Sequence, residues 1–174
     1  MANWMRSSIL EKVKTNGNTL QFTSKAMKAD YEIVFEAMKT CGQMLKFASV
    51  DLKNNRDIVL EALKNTGLAL KYASTELQND HEIVRFAVIN DGLALEFVIS
   101  ELQNDYEIVL KAVKNNGLAL EFASKEFQNN HNIVFEAVQN NGLALRFSSN
   151  ELKNNYSIPC CCKAGWHCLI FCIK

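Results

Sequence analysis

Hydrophobic and polar positions along this chain repeat with a period of 25 residues. A glycine, a leucine three residues after it and an aromatic residue five residues after it return in step in every copy. The glycines are Gly17, Gly42, Gly67, Gly92, Gly117 and Gly142. A fixed period of this size is typical of proteins built from stacked repeats. We therefore predict an all-α fold, an α-solenoid of about six 25-residue helix-turn-helix repeats over residues 1–158.

The first half of each copy has the pattern of an amphipathic helix. In one copy, Ile58, Val59, Ala62 and Leu63 form a single apolar stripe at helical spacing. Asn55 precedes this stripe as the predicted N-cap, because its side-chain oxygen can accept from a free N–H of the first turn. The equivalent N-cap positions hold Asp30, Asp80, Asp105 and Asn130.

The second half of each copy is predicted to be another helix of about ten residues. Gly67 ends the first helix in this prediction, as a residue that adopts the left-handed conformation without steric cost. Leu70, Ala73 and Leu77 then share one face, and Tyr72 lies on the other side. We expect both sides to be buried, one against the partner helix and one against the neighbouring copy, because helices this short are marginal alone.

One motif summarises the copies, I-V-x-x-A-(V/L/M)-x-N-x-G-L-A-L-x-F-A-S-x-E-L. It resembles the repeats of the domain-of-unknown-function 4116 family over about residues 8 to 158. The resemblance implies a helical repeat found in tandem arrays, and it implies no reaction, cofactor or ligand. Two positions depart from the pattern, because Lys12 stands where alanine recurs and Pro159 replaces the expected valine.

Charge and cysteine content restrict the partner and the compartment. Lys plus Arg and Asp plus Glu number 19 each, so no positive field attracts a polyanion and a nucleic-acid partner is disfavoured. Five of the six cysteines follow Pro159 and the repeats hold only Cys41, which is typical of an intracellular protein. We expect a cytoplasmic location. No apolar run is long enough for a membrane span or a signal peptide.

Catalysis is disfavoured because the candidate reactive residues recur. Serine stands seven residues after most of the glycines, and His81 and His131 are the only histidines of the array. A catalytic site normally occurs once, whereas a residue in nearly every copy has a simpler structural explanation, such as local bonding to the backbone. We predict no enzyme activity, no catalytic residues and no cofactor.

A row of variable residues at the start of the first helices is one candidate partner-binding surface. It consists of Tyr31, Arg56, His81, Tyr106, His131 and Tyr156. Solenoids often bind partners along such rows. The alternative is a row of exposed, tolerant positions without a role in binding.

A second candidate surface is apolar. Phe86 and Ile89 stand at positions where other copies carry charged or polar residues, and Ile99 replaces the recurring serine. Phe86 and Ile89 are three residues apart and therefore share a helix face, where an exposed apolar cluster would mark a partner site. The alternative is that Arg85 and Phe86 have exchanged roles and Phe86 points inward.

Residues 159–174 no longer follow the repeat and are predicted to form a divergent, Cys-rich tail. The residue types that bind zinc in this tail are Cys160, Cys161, Cys162, His167, Cys168 and Cys172. Their spacing lacks the usual C-x2-C pairs, so we predict no metal site, and palmitoylation stays an open alternative. A tail of this kind leaves the last hairpin unfinished, and we expect self-association through that uncapped end.

These observations favour a non-catalytic helical-repeat scaffold that binds a protein or peptide. One alternative is a modular binder of single-stranded nucleic acid, in which the variable row stacks on bases. The other is a degenerate array with no discrete ligand.

Overall fold

The computed structural model describes residues 2–154 and their side chains from Trp4 onward. The chain divides into two compact units, unit 1 (Met1–Asn90) and unit 2 (Asp91–Lys174). Within residues 2–154 every element is an α-helix or a 3₁₀-helix. The predicted all-α repeat fold is therefore confirmed, with the 25-residue period running through both units.

Each repeat combines one long α-helix with a 3₁₀-helix and a short helical turn. The α-helices of unit 1 are α1 (Ala2–Thr15), α2 (Tyr31–Thr40), α3 (Val50–Lys53), α4 (Arg56–Asn65), α5 (Thr75–Gln78) and α6 (His81–Asn90). Its 3₁₀-helices are Gly17–Phe22, Met27–Ala29, Gly42–Phe47 and Gly67–Tyr72. The α-helices of unit 2 are α7 (Tyr106–Asn115), α8 (Lys125–Gln128), α9 (His131–Asn140) and α10 (Asn150–Asn154). Its 3₁₀-helices are Gly92–Phe97, Leu102–Asn104, Gly117–Phe122 and Gly142–Phe147.

The long helices form as the sequence predicts. The Asn55 side chain accepts from the N–H groups of Asp57 and Ile58, so it is the N-cap of α4. The other four predicted caps also accept from the first turns of their helices. The apolar stripe of α4 is fully buried, and the equivalent stripes fill the cores of both units. Burial of these stripes supplies the main stabilisation of helices that are too short to be stable alone.

The recurring glycine has a different role from the predicted one. The residue that ends α4 is Thr66 in an extended conformation, and Gly67 begins the following 3₁₀-helix, so the predicted left-handed cap is wrong. A Cβ atom at Gly42 would lie 2.2 Å from the carbonyl oxygen of Ala62 in the next repeat. Glycine is required at that position because two backbones approach each other too closely for any side chain.

The second half of the repeat also differs from the predicted single helix. After the 3₁₀-helix Gly67–Tyr72 the chain is extended at Ala73 and Ser74, and α5 begins only at Thr75. The Ser74 hydroxyl accepts from the Leu77 N–H at 3.3 Å, so the serine starts a new helix. Leu70 and Leu77 are buried as predicted. Tyr72 is only half-buried, so the side of the segment that carries Tyr72 is not fully buried as predicted.

Polar side chains at the ends of the long helices join neighbouring repeats. The side chain of Asn140 accepts from the Gly117 N–H at 2.7 Å and donates to the Lys114 carbonyl at 2.8 Å. In unit 1 the Asn65 side chain accepts from the Gly42 N–H at 3.2 Å. Each bond spans about one repeat, so a repeat satisfies its partly buried backbone groups only when the next repeat is in place.

Candidate functional site

The recurring serines form hydrogen bonds that join neighbouring repeats. The Ser74 N–H donates to the Lys53 carbonyl of the preceding repeat at 2.9 Å, and its hydroxyl bonds the Asn54 side chain. In unit 2 the Ser124 N–H makes the same bond to Gln103 at 3.1 Å. Because the serines cap the short helices and join neighbouring repeats, their recurrence has a structural explanation.

At the variable row, arginine side chains form ion pairs with carboxylates of the next repeat. Arg56 forms an ion pair with Asp80, the N-cap of the next long helix. Arg6, one period before Tyr31, donates to both oxygens of Asp30 at 2.7 and 3.0 Å and to Glu32 at 2.7 Å. Each of these two arginines therefore joins its own long helix to the start of the next long helix.

These contacts change the acidity of both N-cap carboxyl groups. The hydrogen bond from Arg6 is the main cause that lowers the pKa of Asp30 below its usual value, and the Ile33 N–H adds to it. Burial acts to raise the pKa of Asp80, but the Ile83 N–H and Arg56 outweigh it, so that pKa is lowered as well. Both carboxylates are charged acceptors at neutral pH and stabilise the positive ends of their helices.

The remaining described members of the row are more open. Tyr31 and Tyr106 are 45% and 46% exposed, and His81 and His131 are also exposed. Tyr31 stacks on Phe35 with ring centroids 5.7 Å apart, and His131 lies parallel to a ring of its own helix in the same way. Tyr156 lies outside the described residues. Partner binding by this row stays a prediction. Arg56 already forms an ion pair with Asp80 that joins two repeats.

The predicted apolar patch is not uniformly exposed. Ile89 is 48% exposed, whereas Phe86 is half-buried, and so is Arg85. The Arg85 Nε is buried without a hydrogen-bond partner among the described residues, and its Nη1 lies 3.7 Å from Glu82 Oε1. Both equivalent positions are half-buried in the other long helices as well, so the exposed patch and the exchange of roles both stay predictions.

Ile99, in unit 2, is half-buried. It lacks the hydroxyl with which Ser49, Ser74 and Ser124 cap short α-helices in other copies. The segment after it forms only the 3₁₀-helix Leu102–Asn104, which has no side-chain cap. The segment after Ser24 also forms only a 3₁₀-helix, Met27–Ala29, so the isoleucine alone does not explain the shorter element, and the predicted part of Ile99 in partner binding stays a prediction.

Sequence reasoning missed a surface on the second half of the repeats. In unit 1 the Lys46 Nζ lies 4.7 Å from the ring centroid of Phe47, and the Lys28 Nζ lies 5.4 Å from the same centroid. The Lys71 Nζ lies 4.9 Å from the ring centroid of Tyr72. The Phe22 ring, one repeat earlier, is 83% exposed. We call these residues the basic-aromatic strip: Phe22, Lys28, Lys46, Phe47, Lys71 and Tyr72.

The corresponding surface of unit 2 contains an open groove of about 780 Å³. Its lining residues include Glu121, Lys125, Gln128, Arg146, Phe147 and Lys153. The Arg146 guanidinium lies 4.5 Å from the ring centroid of Phe147, the same arrangement as in the basic-aromatic strip. The second half of the repeats therefore presents aromatic rings and cations in both units, and in unit 2 they border a concave surface.

The two units differ in charge on this surface. The segments of unit 1 that run from each glycine to the residue before the next N-cap hold five lysines and two carboxylates, a net charge of +3. The same segments of unit 2 hold three cations and five carboxylates, a net charge of −2. Glu96 and Glu121 occupy the places of Lys46 and Lys71. The sequence shows this charge difference at the residue before each aromatic ring. It does not show that the rings are exposed.

The described residues contain neither a metal-binding cluster nor a membrane-spanning helix. No group of three or more His, Cys, Asp or Glu side chains able to hold a metal ion occurs in residues 2–154. No described helix is both long enough and apolar enough to cross a membrane. The tail residues 159–174, including the cysteines and His167, lie outside the described residues, so the predictions made for them stay predictions.

Comparison with known proteins identifies the repeat. The sequence model described as Domain of unknown function (DUF4116) matches residues 6–53, 55–103, 80–128 and 105–153. The matches follow one another in tandem, the last three overlap, and together they span both units, which agrees with the observed period. No curated protein and no solved structure shows significant similarity to the chain.

Proposed function

Because the chain belongs to the DUF4116 family, which defines a repeat and no reaction, we propose that it is a non-catalytic scaffold for a protein or peptide. The binding surface in this proposal is the second half of the repeats, which includes the basic-aromatic strip and the groove of unit 2. One observation carries the proposal: partly exposed rings recur there beside charges that change from copy to copy. Repeat proteins commonly bind partners along surfaces to which several repeats contribute equivalent residues.

The residue types on this surface suit a protein partner. Aromatic residues and arginine supply much of the binding energy in protein interfaces, since a large rigid area is buried at a small entropic cost. Charges around the rings add selectivity for partners of complementary charge. The long helices offer less, because their recurring polar side chains already hold neighbouring repeats together.

A nucleic-acid reader that uses the variable row is less well supported. Arg56, the only arginine among the predicted residues of that row, is paired with Asp80. A cation that already neutralises a carboxylate contributes little to phosphate binding, which depends on free positive charge. The balance of 19 positive and 19 negative residues points the same way.

The compartment and further contacts are also proposals. With Cys41 as the only cysteine of the repeats, we place the scaffold in a reducing compartment such as the cytoplasm. Self-association through the C-terminal end of the array is a separate expectation. Size-exclusion chromatography with light scattering at several concentrations measures it.

The test combines partner capture with direct binding. A protein captured by the wild type from a native lysate is identified, purified and titrated by calorimetry against K46E/K71E, K125E/R146E and K39E/K64E. The last variant has the same charge change as the first but alters the long helices of unit 1. We expect weaker binding for one or both of the first two variants and unchanged binding for the third. Equal binding by all variants, or turnover of a substrate by the wild type, would contradict the proposal.

A further inference from the structure

The lysines of the basic-aromatic strip are held in place before any partner binds. The Lys28 Nζ donates to the Gln21 carbonyl at 2.9 Å while it lies over the Phe47 ring. Lys46 and Lys71 are exposed and lie over the rings that follow them in the chain. An ammonium group has three donor hydrogens, so contact with a ring face leaves others for a carboxylate. A positioned lysine also loses less side-chain entropy on binding than a mobile one.

The spacing of the strip suits an extended polypeptide. Lys46 and Lys71 occupy the same position in consecutive repeats of unit 1. Packed helices in neighbouring layers lie about 8–10 Å apart, so equivalent side chains are separated by roughly that distance. An extended chain in the polyproline II conformation advances about 3.1 Å per residue with three residues per turn, so residues three apart lie on one face at roughly 9 Å from each other. Acidic residues at every third position would therefore meet successive lysines.

From this arrangement we propose that the basic-aromatic strip binds an acidic segment of a partner polypeptide in an extended conformation. The inference rests on the proposed function and names the partner chemistry for unit 1. Lys28, Lys46 and Lys71 bind the carboxylates. The exposed ring of Phe22 receives an apolar side chain next to the acidic run.

Single-stranded nucleic acid fits this strip less well. Bases bind such proteins by stacking on aromatic faces, and here ammonium groups lie over the Phe47 and Tyr72 rings. Unit 1 as a whole holds 12 basic and 10 acidic residues, which is a weak field for a phosphate backbone. A carboxylate can bind the ammonium groups where they stand, whereas a base would have to displace them.

The experiment measures fluorescence anisotropy of a labelled peptide, four repeats of Glu-Gly-Ser, titrated with the full chain. We expect saturable binding that weakens as NaCl is raised, because exposed ion pairs are screened. K46E/K71E should lower the affinity by about tenfold or more. The matched variant K39E/K64E lies in the same two repeats and reverses two lysines on the long helices, and it should bind within about twofold of the wild type.

Further arms separate the explanations. K46Q/K71Q, which removes the charges without reversing them, should also lose affinity while far-UV circular dichroism stays unchanged. Absence of peptide binding by the wild type, or equal losses in K46E/K71E and K39E/K64E, would overturn the inference. So would tighter binding of a twelve-nucleotide oligothymidine that K46E/K71E abolishes. If the peptide fails while the captured partner still depends on Lys125 and Arg146, the inference fails and the proposed function stands.

Discussion

The long helices and the second-half surfaces differ in how much they vary between copies of the repeat. In the five long helices α2, α4, α6, α7 and α9, the isoleucine of the apolar stripe is completely buried. The valine that follows it and the alanine are completely buried as well. On the second-half surface, Lys46 and Lys71 of unit 1 correspond to Glu96 and Glu121 of unit 2. A position that packs between two copies must fit a neighbour on each side, so its volume is constrained.

An exposed position beside a ring has no such constraint, and its charge can follow the needs of binding. The difference therefore separates residues that hold the array together from residues available for a partner. Substitutions on the packing side should act on the free energy of unfolding, and substitutions on the second-half surface should act on binding. The predictions below test this separation, and they run from the largest expected effect on stability to the smallest.

The largest effect is expected for Gly42→Ala. The new Cβ would stand 2.2 Å from the Ala62 carbonyl oxygen, so two repeats of unit 1 would have to move apart. We expect a loss of about 3 kcal/mol or more in the free energy of unfolding, above the typical overpacking cost of about 1–3 kcal/mol, because the clash is with backbone and not with a side chain that can rotate away. Urea denaturation measures it, with Ala26→Val at an exposed position as the control. A loss below about 1 kcal/mol would show that the close approach is not needed.

A smaller loss is expected for Asn140→Ala in unit 2. The substitution leaves the Gly117 N–H and the Lys114 carbonyl without their side-chain partner. The bond of the Gly117 N–H is partly buried, and such a group left unsatisfied costs about 1–3 kcal/mol. The same denaturation experiment on Asn132→Ala, which removes an exposed asparagine from the same helix, should show almost no change. Equal losses in the two variants would indicate that the hydrogen bonds between repeats do not contribute to the free energy of unfolding.

The pH dependence of the Arg6–Asp30 contact gives a third test. Because the folded pKa of Asp30 is lowered, this contact stabilises the folded state fully above the unfolded value of about 3.9. The stabilisation is lost as the pH falls through the lower folded value. The stability difference between wild type and Arg6→Gln should thus be constant near neutral pH and shrink below about pH 4. Lys14→Gln removes a charge from the same helix, and its difference should not follow the titration of Asp30.

The smallest effect on stability is expected for E96K/E121K, which gives unit 2 the lysines of unit 1. Both side chains are exposed, so the free energy of unfolding should change by less than about 0.5 kcal/mol. Binding of the Glu-Gly-Ser peptide should nevertheless increase by about tenfold, because two repulsive charges become attractive ones. If the peptide binds no better, charge beside the rings does not explain the difference between the units.

Much of the structure of the long helices could be predicted from the sequence. Asn55 and its equivalents are the N-caps, and the Ile58 stripe is buried, because both features depend on residues within one helix. The glycine was misinterpreted because a left-handed turn and a close backbone contact both require glycine. Only the structure shows that the contact, to an alanine 20 residues away, is the reason.

The second half was harder to predict for two local reasons. The spacing of Leu70, Ala73 and Leu77 fits one helix, but the Ser74 hydroxyl bonds the backbone and starts a new helix instead. The strip was missed because aromatic residues at a fixed period are usually core residues, whereas Phe22 is exposed and Tyr72 is half-buried. The charges beside the rings are visible in the sequence, but their meaning depends on that exposure.

Mutual dependence of neighbouring repeats underlies both the fold and the proposed binding surface. Its most direct test compares thermal unfolding of the full chain with that of a synthetic peptide of residues 55–79, which is one complete copy. We predict that the full chain melts cooperatively with a strongly helical circular dichroism spectrum, and that the peptide is largely unfolded at all temperatures. A peptide that is as helical as the chain and melts as cooperatively would contradict this dependence.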